Sequence, residues 1–260
     1  MQIANRYGKL IGILNGCEYP QEQSISKPDV TEFLNASERT LFVWMARTQQ
    51  LTSSHYIAHQ RVKSWLTTPS SGPLITSVGR LTDQKALLLR QATDTGIVLD
   101  ELAKITARSS GRLIVLGSGD AHLEYVFTKA MARNDNLLFL NGYGQSLGDM
   151  LYDIGDLFLM PSSFEPCGIS QMLAMRSGQP CLVHQVGGLS DTVAHLESGF
   201  VFSGEDLHQQ KAQLLNMFTQ ALELYDNDIN RYDQIRDGAQ AKRFEWDNVA
   251  LSYINSLYTH

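Results

Sequence analysis

Short runs of consecutive apolar residues alternate with longer segments of spaced apolar residues between residues 74 and 204. The runs predict six strands, at residues 74–79, 113–117, 137–140, 156–160, 180–184 and 199–202. The segments between them predict helices at residues 81–109, 121–133, 147–152, 169–177 and 189–196. Strands buried on both faces consist almost wholly of apolar residues, so this alternation predicts a doubly wound, parallel α/β sheet.

The segments on either side of this core have other patterns. Residues 1–73 contain spaced apolar positions such as Phe33, Leu41 and Trp65, which favour helices, and end in a Thr, Ser, Pro and Gly-rich stretch at 67–73. Residues 205–260 predict further helices. We therefore divide the chain into a linker-like segment and helical lead-in (1–73) packed on the domain, a doubly wound α/β core (74–204) and C-terminal helices (205–260).

Composition excludes several classes of protein. The formal net charge is −6, which argues against nucleic-acid or anionic-membrane binding. The three cysteines, at 17, 167 and 181, form no CxxC pair, so neither a disulfide scaffold nor a zinc site is expected. There is no apolar segment of membrane-spanning length and no apolar leader after Met1, so we expect a cytoplasmic protein.

Candidate binding residues follow the first predicted strand. Ligands of open parallel sheets bind beyond the carboxyl ends of the strands. Arg80 lies on the turn after that strand, and Lys85 lies near the start of the next helix. Two cations that converge there suit a diphosphate, with Arg supplying a planar fork and Lys a compact charge. Two solvated surface cations are the alternative.

A second candidate site follows the fourth predicted strand. Gly168 opens a helix, where unpaired backbone amides attract phosphate, and Ile169 and the Ser170 hydroxyl are further donors. Glu165, just before this turn, can accept hydrogen bonds from sugar hydroxyls. A surface acid beside a helix start is the alternative, which the Glu-Pro-Cys-Gly run at 165–168 disfavours. Cys167 lies in the same loop.

Three weaker signals accompany these. Gly187 and Gly188 repeat the arrangement of a glycine turn before a helix, and Tyr143 after the third strand could stack on a base. Gly117-Ser118-Gly119 lacks the third glycine of a dinucleotide fingerprint and is interpreted as a turn with a helix cap. His55 and His59 are one helical turn apart but have no evident third ligand, so we expect no metal.

Together these motifs resemble the glycogen and starch synthases, a family of retaining glycosyltransferases with the GT-B fold, whose C-terminal half is Rossmann-like. The matching stretches run in family order. They are residues 12–16 (GILNG), 80–85 (RLTDQK), 161–171 (PSSFEPCGISQ), 187–193 (GGLSDTV) and 244–246 (FEW) with Tyr253, Leu257 and Tyr258. Two departures are Ala86, where the family usually has Gly, and Val186, where it usually has Thr.

The resemblance implies roles for these positions. Residues matching Arg80 and Lys85 hold the phosphates of an ADP-glucose donor, and the one matching Glu165 lies at the transferred glucose. The aromatic matching Tyr143 lies near the adenine. The loop matching Gly168, Ile169 and Ser170 receives the distal phosphate. Cys167, Gly187 and Gly188 are further substrate-binding candidates. No cofactor and no metal are implied. The acceptor would be an α-1,4-glucan.

The resemblance also implies a missing half. The family's N-terminal domain carries part of the active site and much of the acceptor groove, and none of its motifs is present, so we expect this chain alone to be inactive. Two alternatives remain open. One is a non-catalytic module that binds a nucleotide sugar or glucan, and the other is a GT-B enzyme of another family. Such transferases commonly place a second Glu eight residues after the first, where this chain has Leu173.

Overall fold

A six-stranded parallel sheet forms the centre of the molecule, as the apolar runs predict. The computed structural model describes residues 11–19, 29–47 and 51–258. Its strands are β1 (Leu74–Val78), β2 (Ala92–Thr93), β3 (Gly96–Ile97), β4 (Arg112–Gly117), β5 (Leu137–Asn141), β6 (Leu157–Met160), β7 (Cys181–His184) and β8 (Gly199–Phe202). The sheet has the order β5-β4-β1-β6-β7-β8, while β2 and β3 form a separate hairpin.

Helices cover both faces of this sheet. Those of the described residues are α1 (Val30–Arg47), α2 (Ser53–Thr67), α3 (Asp83–Ala86), α4 (Val98–Arg108), α5 (Ala121–Arg133), α6 (Gln145–Ile154), α7 (Ser170–Arg176), α8 (Gly187–Thr192), α9 (Leu207–Asn227), α10 (Ile229–Ala241) and α11 (Trp246–Tyr253), followed by a π-helical turn at Ile254–Tyr258. The predicted doubly wound α/β class is confirmed.

The sheet has one topological switch point, between β1 and β6. β1 pairs with β4 at five positions on one side and with β6 at only two positions on the other. From this pair the chain builds outward in both directions, to β5 and to β8. In sheets of this order a crevice opens beyond the carboxyl ends of the strands at the switch point, which is where ligands bind.

The core lies on both faces of the sheet because its strands are apolar along their whole length. The side chains of β4, β5, β6 and β7 are almost completely buried. On one face the Phe127 ring meets the Phe139 ring edge-on, at a centroid distance of 5.7 Å. On the other face Phe158, Met175 and Leu189 belong to a second apolar cluster. Because both faces of the sheet are buried, the strands cannot shift, and the positions of their ends are fixed.

The single helix predicted for residues 81–109 is wrong. The chain forms α3, then a two-stranded hairpin, then α4. Gly96 makes this break, since its φ of +153° favours glycine and a Cβ there would lie 2.4 Å from Asp100 Oδ2. The Asp100 carboxylate accepts a hydrogen bond from the Ile97 N–H at 2.9 Å and thereby starts α4. The helix predicted at 189–196 is also displaced and begins at Gly187.

Asp100 is a buried carboxylate that ties α4 to α5. Arg133 contacts its two oxygens at 3.1 and 2.6 Å, and Asn134 donates a third hydrogen bond at 2.7 Å. Burial raises the pKa of Asp100, but the hydrogen bonds from Arg133, Ile97 and Asn134 outweigh it and hold the pKa below its ordinary value. The charged form therefore stabilises the fold.

The described part of residues 30–67 forms two helices, α1 and α2, at the spaced apolar positions that favour helices. Phe33, Leu41 and Val62 of this helix pair are fully buried in the main core. Trp65 Nε1 also donates a hydrogen bond to the Asp135 carbonyl at 3.1 Å. Residues 1–10, 20–28 and 48–50 lie outside the described residues, and the domain boundaries at 73 and 204 stay predictions.

The C-terminal helices return across the sheet, and the described N-terminal segment joins them. The Tyr232 hydroxyl donates to the Asp156 carbonyl at 2.9 Å, which fixes α10 beneath β6. The Cys17 N–H donates to the Phe244 carbonyl at 2.7 Å, so residues 11–19 run beside the start of α11. Within the ranges that the structure describes, no helix has both the length and the apolar character needed to cross a membrane.

Candidate functional site

A cavity of about 560 Å³ opens at the switch point, beyond the carboxyl ends of β1, β4 and β5. Five of the ten predicted site residues line it: Arg80, Lys85, Tyr143, Glu165 and Ser170. The other five predicted residues do not line the cavity and lie behind or beside its lining. They are Cys167, Gly168, Ile169, Gly187 and Gly188. The structure thus brings the charged and aromatic candidates to one cavity and places the glycines around it.

The turn after β1 holds Arg80 at the cavity mouth. The neighbouring Leu81 N–H donates to the Ser118 carbonyl at 2.9 Å, which ties this turn to the one after β4. The Arg80 side chain is exposed and forms no ion pair with any carboxylate of the described residues. Its guanidinium is therefore available to an anion that enters the cavity.

Lys85 and Glu165 form an ion pair inside the cavity, although they are 80 residues apart in the chain. The Glu165 side chain is only 8% exposed and that of Lys85 is 23% exposed, so both charges are largely removed from water. The pair places a carboxylate and an ammonium next to Arg80. Such a site offers positive charge to phosphates and an acceptor to hydroxyl groups.

Gln84 joins the two motifs that carry these charges. Its side-chain amide donates to the Phe164 carbonyl at 2.8 Å, and its own carbonyl accepts from the Ser163 N–H at 2.8 Å. The cations after β1 and the loop after β6 are thereby held together. The sequence-based reasoning missed Gln84, because a hydrogen bond between distant turns leaves no local pattern.

The turn at Gly187 and Gly188 supports the Glu165 loop from behind. The Gly188 N–H donates to the Glu165 carbonyl at 2.9 Å. A Cβ on Gly187, whose φ is +45°, would lie 2.0 Å from the same carbonyl oxygen, and one on Gly188 would lie 2.3 Å from the Cys167 carbonyl oxygen. Only glycines allow this approach. Their contacts are with the loop, and direct contact with a substrate stays a prediction.

Further hydrogen bonds immobilise residues 165–170. Gly168 has a φ of +79°, and the fully buried Gln171 amide donates to the Cys167 carbonyl at 3.0 Å. Cys167 Sγ accepts from the Asn15 N–H at 3.2 Å. At the cavity wall the Tyr152 hydroxyl donates to Ser170 Oγ at 3.1 Å, and burial raises the pKa of Tyr152 above its ordinary value. Ile169 is exposed beside the loop.

Tyr143 lies on the loop between β5 and α6. Since Glu165 follows β6, and β4 and β1 lie between β5 and β6 in the sheet, the two residues are on opposite sides of the cavity. The Tyr143 side chain is 80% exposed, and glycines at 142 and 144 flank it and also line the cavity. The ring is therefore free to contact a ligand. These two glycines were missed by the sequence-based reasoning, although their spacing around an aromatic residue at a strand end was visible.

The weaker candidates have structural roles. Asp120 caps α5 by accepting from the His122 and Leu123 N–H groups, as the turn-and-cap interpretation predicts. His55 Nε2 contacts the Asn141 carbonyl at 3.0 Å, while His59 lies 3.3 Å from the Glu38 carboxylate. Among the described residues, no three His, Cys, Asp or Glu side chains are grouped so that they could hold a metal ion.

Comparisons with known proteins match this geometry. Residues 63–234 match the family model of glycosyl transferases group 1. The chain is 34% identical over 258 residues to a glycogen synthase of Streptococcus equi subsp. zooepidemicus, which covers 95% of this chain and 48% of that protein. A glycogen synthase of Hydrogenovibrio crunogenus is 29% identical over 273 residues, with 95% and 48% covered. The chain spans about half the length of these curated relatives.

Solved structures share the fold. The catalytic domain of starch synthase IV from Arabidopsis thaliana, bound to ADP and acarbose, superposes with a TM-score of 0.67 at 24% identity, over 98% of this chain and 50% of that one. Anabaena HepE in complex with UDP-glucose superposes with a TM-score of 0.58 at 18% identity, over 78% and 52%. The predicted GT-B architecture is thereby confirmed for the half that this chain contains.

Proposed function

The chain belongs to the glycosyl transferases group 1, as a glycogen- and starch-synthase-like domain, and from that premise we propose that it is the donor-binding half of a retaining glucosyltransferase. The proposed donor is ADP-glucose, and the acceptor is the non-reducing end of an α-1,4-glucan. The observation that supports this proposal most is the cavity at the switch point, where Arg80, Lys85 and Glu165 meet.

Each part of the donor has a matching wall of the cavity. Arg80 and Lys85 supply two positive charges for the diphosphate, and the Ser170 hydroxyl supplies a further donor. Tyr143 presents an exposed ring for the base. Glu165 accepts hydrogen bonds from glucose hydroxyls. The Arabidopsis starch synthase structure contains ADP, which agrees with this assignment of the nucleotide.

The cations would also promote the reaction itself. When the bond between glucose and the diphosphate breaks, negative charge accumulates on the leaving ADP. Positive groups that are already fixed beside the leaving diphosphate stabilise the transition state without reorganising. In this chain Arg80 and Lys85 are those groups, and the hydrogen bonds of Gln84 hold both of them against the Glu165 loop.

A second half is proposed as the partner that completes the active site. The relatives are about twice as long as this chain. A groove of about 440 Å³ lies between residues 11–15 and 243–256 and is lined by both apolar and polar side chains. Ile11 in its wall, and Trp246, Leu251 and Leu257 of the same C-terminal segment, are each about half exposed. Apolar patches of this kind mark protein interfaces. We assign this surface to the half that carries the acceptor groove, and we expect no transfer without it.

Isothermal titration of the purified chain tests donor binding. We expect ADP to bind more tightly than UDP or GDP, and Arg80→Ala with Lys85→Ala to abolish binding. The matched control replaces two exposed cations outside the cavity, Arg108→Ala with Lys129→Ala, and should bind as the parent does. Unchanged ADP affinity in the Arg80/Lys85 variant would show that the nucleotide binds elsewhere on the chain.

A transfer assay with labelled ADP-glucose and glycogen tests whether a second half is required for activity. The chain alone should incorporate no label, whereas addition of an N-terminal half from a relative should restore incorporation. Glucan elongation by the chain alone would contradict the proposal. If binding occurs and the added half restores nothing, the chain is instead a non-catalytic nucleotide-sugar-binding module.

A further inference from the structure

The loop that carries Tyr143 has little packing of its own. Gly142 and Gly144 flank the tyrosine and have no side chains, and Tyr143 itself is 80% exposed. The loop is tied to β4 by a long hydrogen bond of 3.3 Å from the Gly142 N–H to the Gly117 carbonyl. Its position must therefore depend on what packs against its backbone.

Trp44 of α1 packs directly against this backbone. A Cβ placed on Gly142 would lie 2.7 Å from both Cη2 and Cζ3 of the indole, and one on Gly144 would lie 3.5 Å from Cζ2. The indole thus spans both glycines that flank Tyr143. Trp44 itself does not line the cavity, so any effect that it has on a ligand acts through the loop.

His55 of α2 holds the start of the same loop. Its Nε2 lies 3.0 Å from the Asn141 carbonyl oxygen, and since a carbonyl only accepts, this nitrogen donates. The His55 and Trp44 rings are neighbours, with centroids 6.0 Å apart. A third contact, from Asn141 Nδ2 to the Glu124 carboxylate at 3.1 Å, also holds the end of β5.

The helix pair that carries these two side chains is itself anchored. Phe33 and Leu41 of α1 and Val62 of α2 are fully buried in the main core. Trp44 and His55 therefore cannot shift without disturbing the core, and they form a rigid support for the loop. None of the motifs that resemble the family falls within α1 or α2, so the motifs give these helices no role.

We propose that α1 and α2 position Tyr143 through Trp44 and His55, and so set the affinity of the site for the base of a nucleotide. The identity of the ligand in this proposal rests on the proposed function, whereas the contact of Trp44 and His55 with the Tyr143 loop does not. Trp44 and His55 are positioning residues, because they touch the loop and not the ligand. Phosphate binding by Arg80 and Lys85 should be independent of them.

Trp44→Ala tests this, with Phe42→Ala as the matched control, because Phe42 is an exposed aromatic of the same helix. Titrations use ADP and, as a base-free probe, inorganic pyrophosphate. Trp44→Ala should bind ADP about tenfold more weakly, which is within the effect of losing one base–aromatic stack, and should bind pyrophosphate unchanged. Phe42→Ala should change neither. Equal losses for both ligands, or no loss for ADP, would overturn the proposal.

A second variant keeps the test decisive if Trp44→Ala folds poorly. Gly142→Ala introduces a Cβ against the indole and should also weaken the binding of ADP but not that of pyrophosphate. The double variant should bind ADP no more weakly than Trp44→Ala alone. Strict additivity would show that the two residues do not act through one contact.

Amide hydrogen exchange without ligand separates this inference from the proposed function. Residues 142–145 should exchange faster in Trp44→Ala than in Phe42→Ala. Unchanged exchange refutes the support of the loop by Trp44 whatever the ligand results are. If the parent chain binds neither ADP nor pyrophosphate, the proposed function fails, and faster exchange would still establish the contact.

Discussion

Replacing Glu165 by Gln should increase the affinity of the chain for ADP, although this carboxylate lies among the proposed binding groups. Glu165 holds Lys85 in an ion pair and adds a negative charge to a cavity that we assign to a diphosphate. A diphosphate must therefore compete with Glu165 for the ammonium and approach a like charge. Gln keeps the shape and removes both obstacles.

The magnitude follows from Coulomb's law for a bound phosphate taken to lie about 6 Å from the Glu165 carboxylate, and from the solvent exposure of the cavity. Two like unit charges about 6 Å apart repel by roughly 3 kcal/mol at an effective dielectric constant of about 20. Salt and water in the open cavity reduce this to about 1 kcal/mol, which corresponds to about fivefold tighter binding. The gain should shrink further as the salt concentration rises.

Isothermal titration with ADP at low and physiological salt measures this effect. Asp149→Asn is the matched control, because Asp149 also lines the cavity but is exposed and outside the ion pair. Its effect should be small, since solvated charges contribute roughly 0–1 kcal/mol. Adding Lys85→Ala to Glu165→Gln should remove the gain. If Glu165→Gln binds ADP equally or more weakly than the parent, the diphosphate does not lie at this pair.

Three further predictions concern stability, measured by urea unfolding. Lys85→Met should cost about 2–3 kcal/mol because it leaves the buried Glu165 carboxylate unpaired, and adding Glu165→Gln should recover most of the loss; no recovery would mean that the pair is not the cause. Gly187→Ala should cost about 2–4 kcal/mol, since the residue has a positive φ and the new Cβ meets the Glu165 carbonyl, whereas Gly12→Ala, which meets nothing within 4 Å, should be neutral. Asp100→Asn should be less stable than the parent above the ordinary Asp pKa of 3.8, and the difference should shrink as the pH falls below it, because the unfolded chain takes up the proton first; a difference independent of pH would refute a charged Asp100.

The strands could be predicted from the sequence because burial on both faces leaves an unmixed apolar run. Residues 113–117 and 199–202 agree with β4 and β8 to within one residue. The prediction for 81–109 was wrong because the three consecutive leucines at 87–89 are compatible with a continuous helix, whereas the Thr-Asp-Thr-Gly turn at 93–96 interrupts it.

The site was predictable where one short motif carries the chemistry, and not where two distant segments meet. Arg80, Lys85 and Glu165 were found from turns at strand ends, and all three line one cavity. The pairing of Lys85 with Glu165 has no local signature. The contact of Trp44 with Gly142 has none either, because it depends on how α1 lies across the end of β5.

The unequal pairing of β1 has a consequence for synthesis of the chain on the ribosome. β4 is made before β6, so β1, β4 and β5 can assemble as a partial layer while the other edge of β1 still exposes unpaired N–H and C=O groups. At about 5–20 residues per second, this edge stays uncovered for about 1–4 seconds after β5 is made, until residues 157–160 emerge. A bare apolar edge is a template for aggregation. Substitutions that weaken β6 should therefore lower the yield of folded chain more than their effect on the finished protein's stability implies.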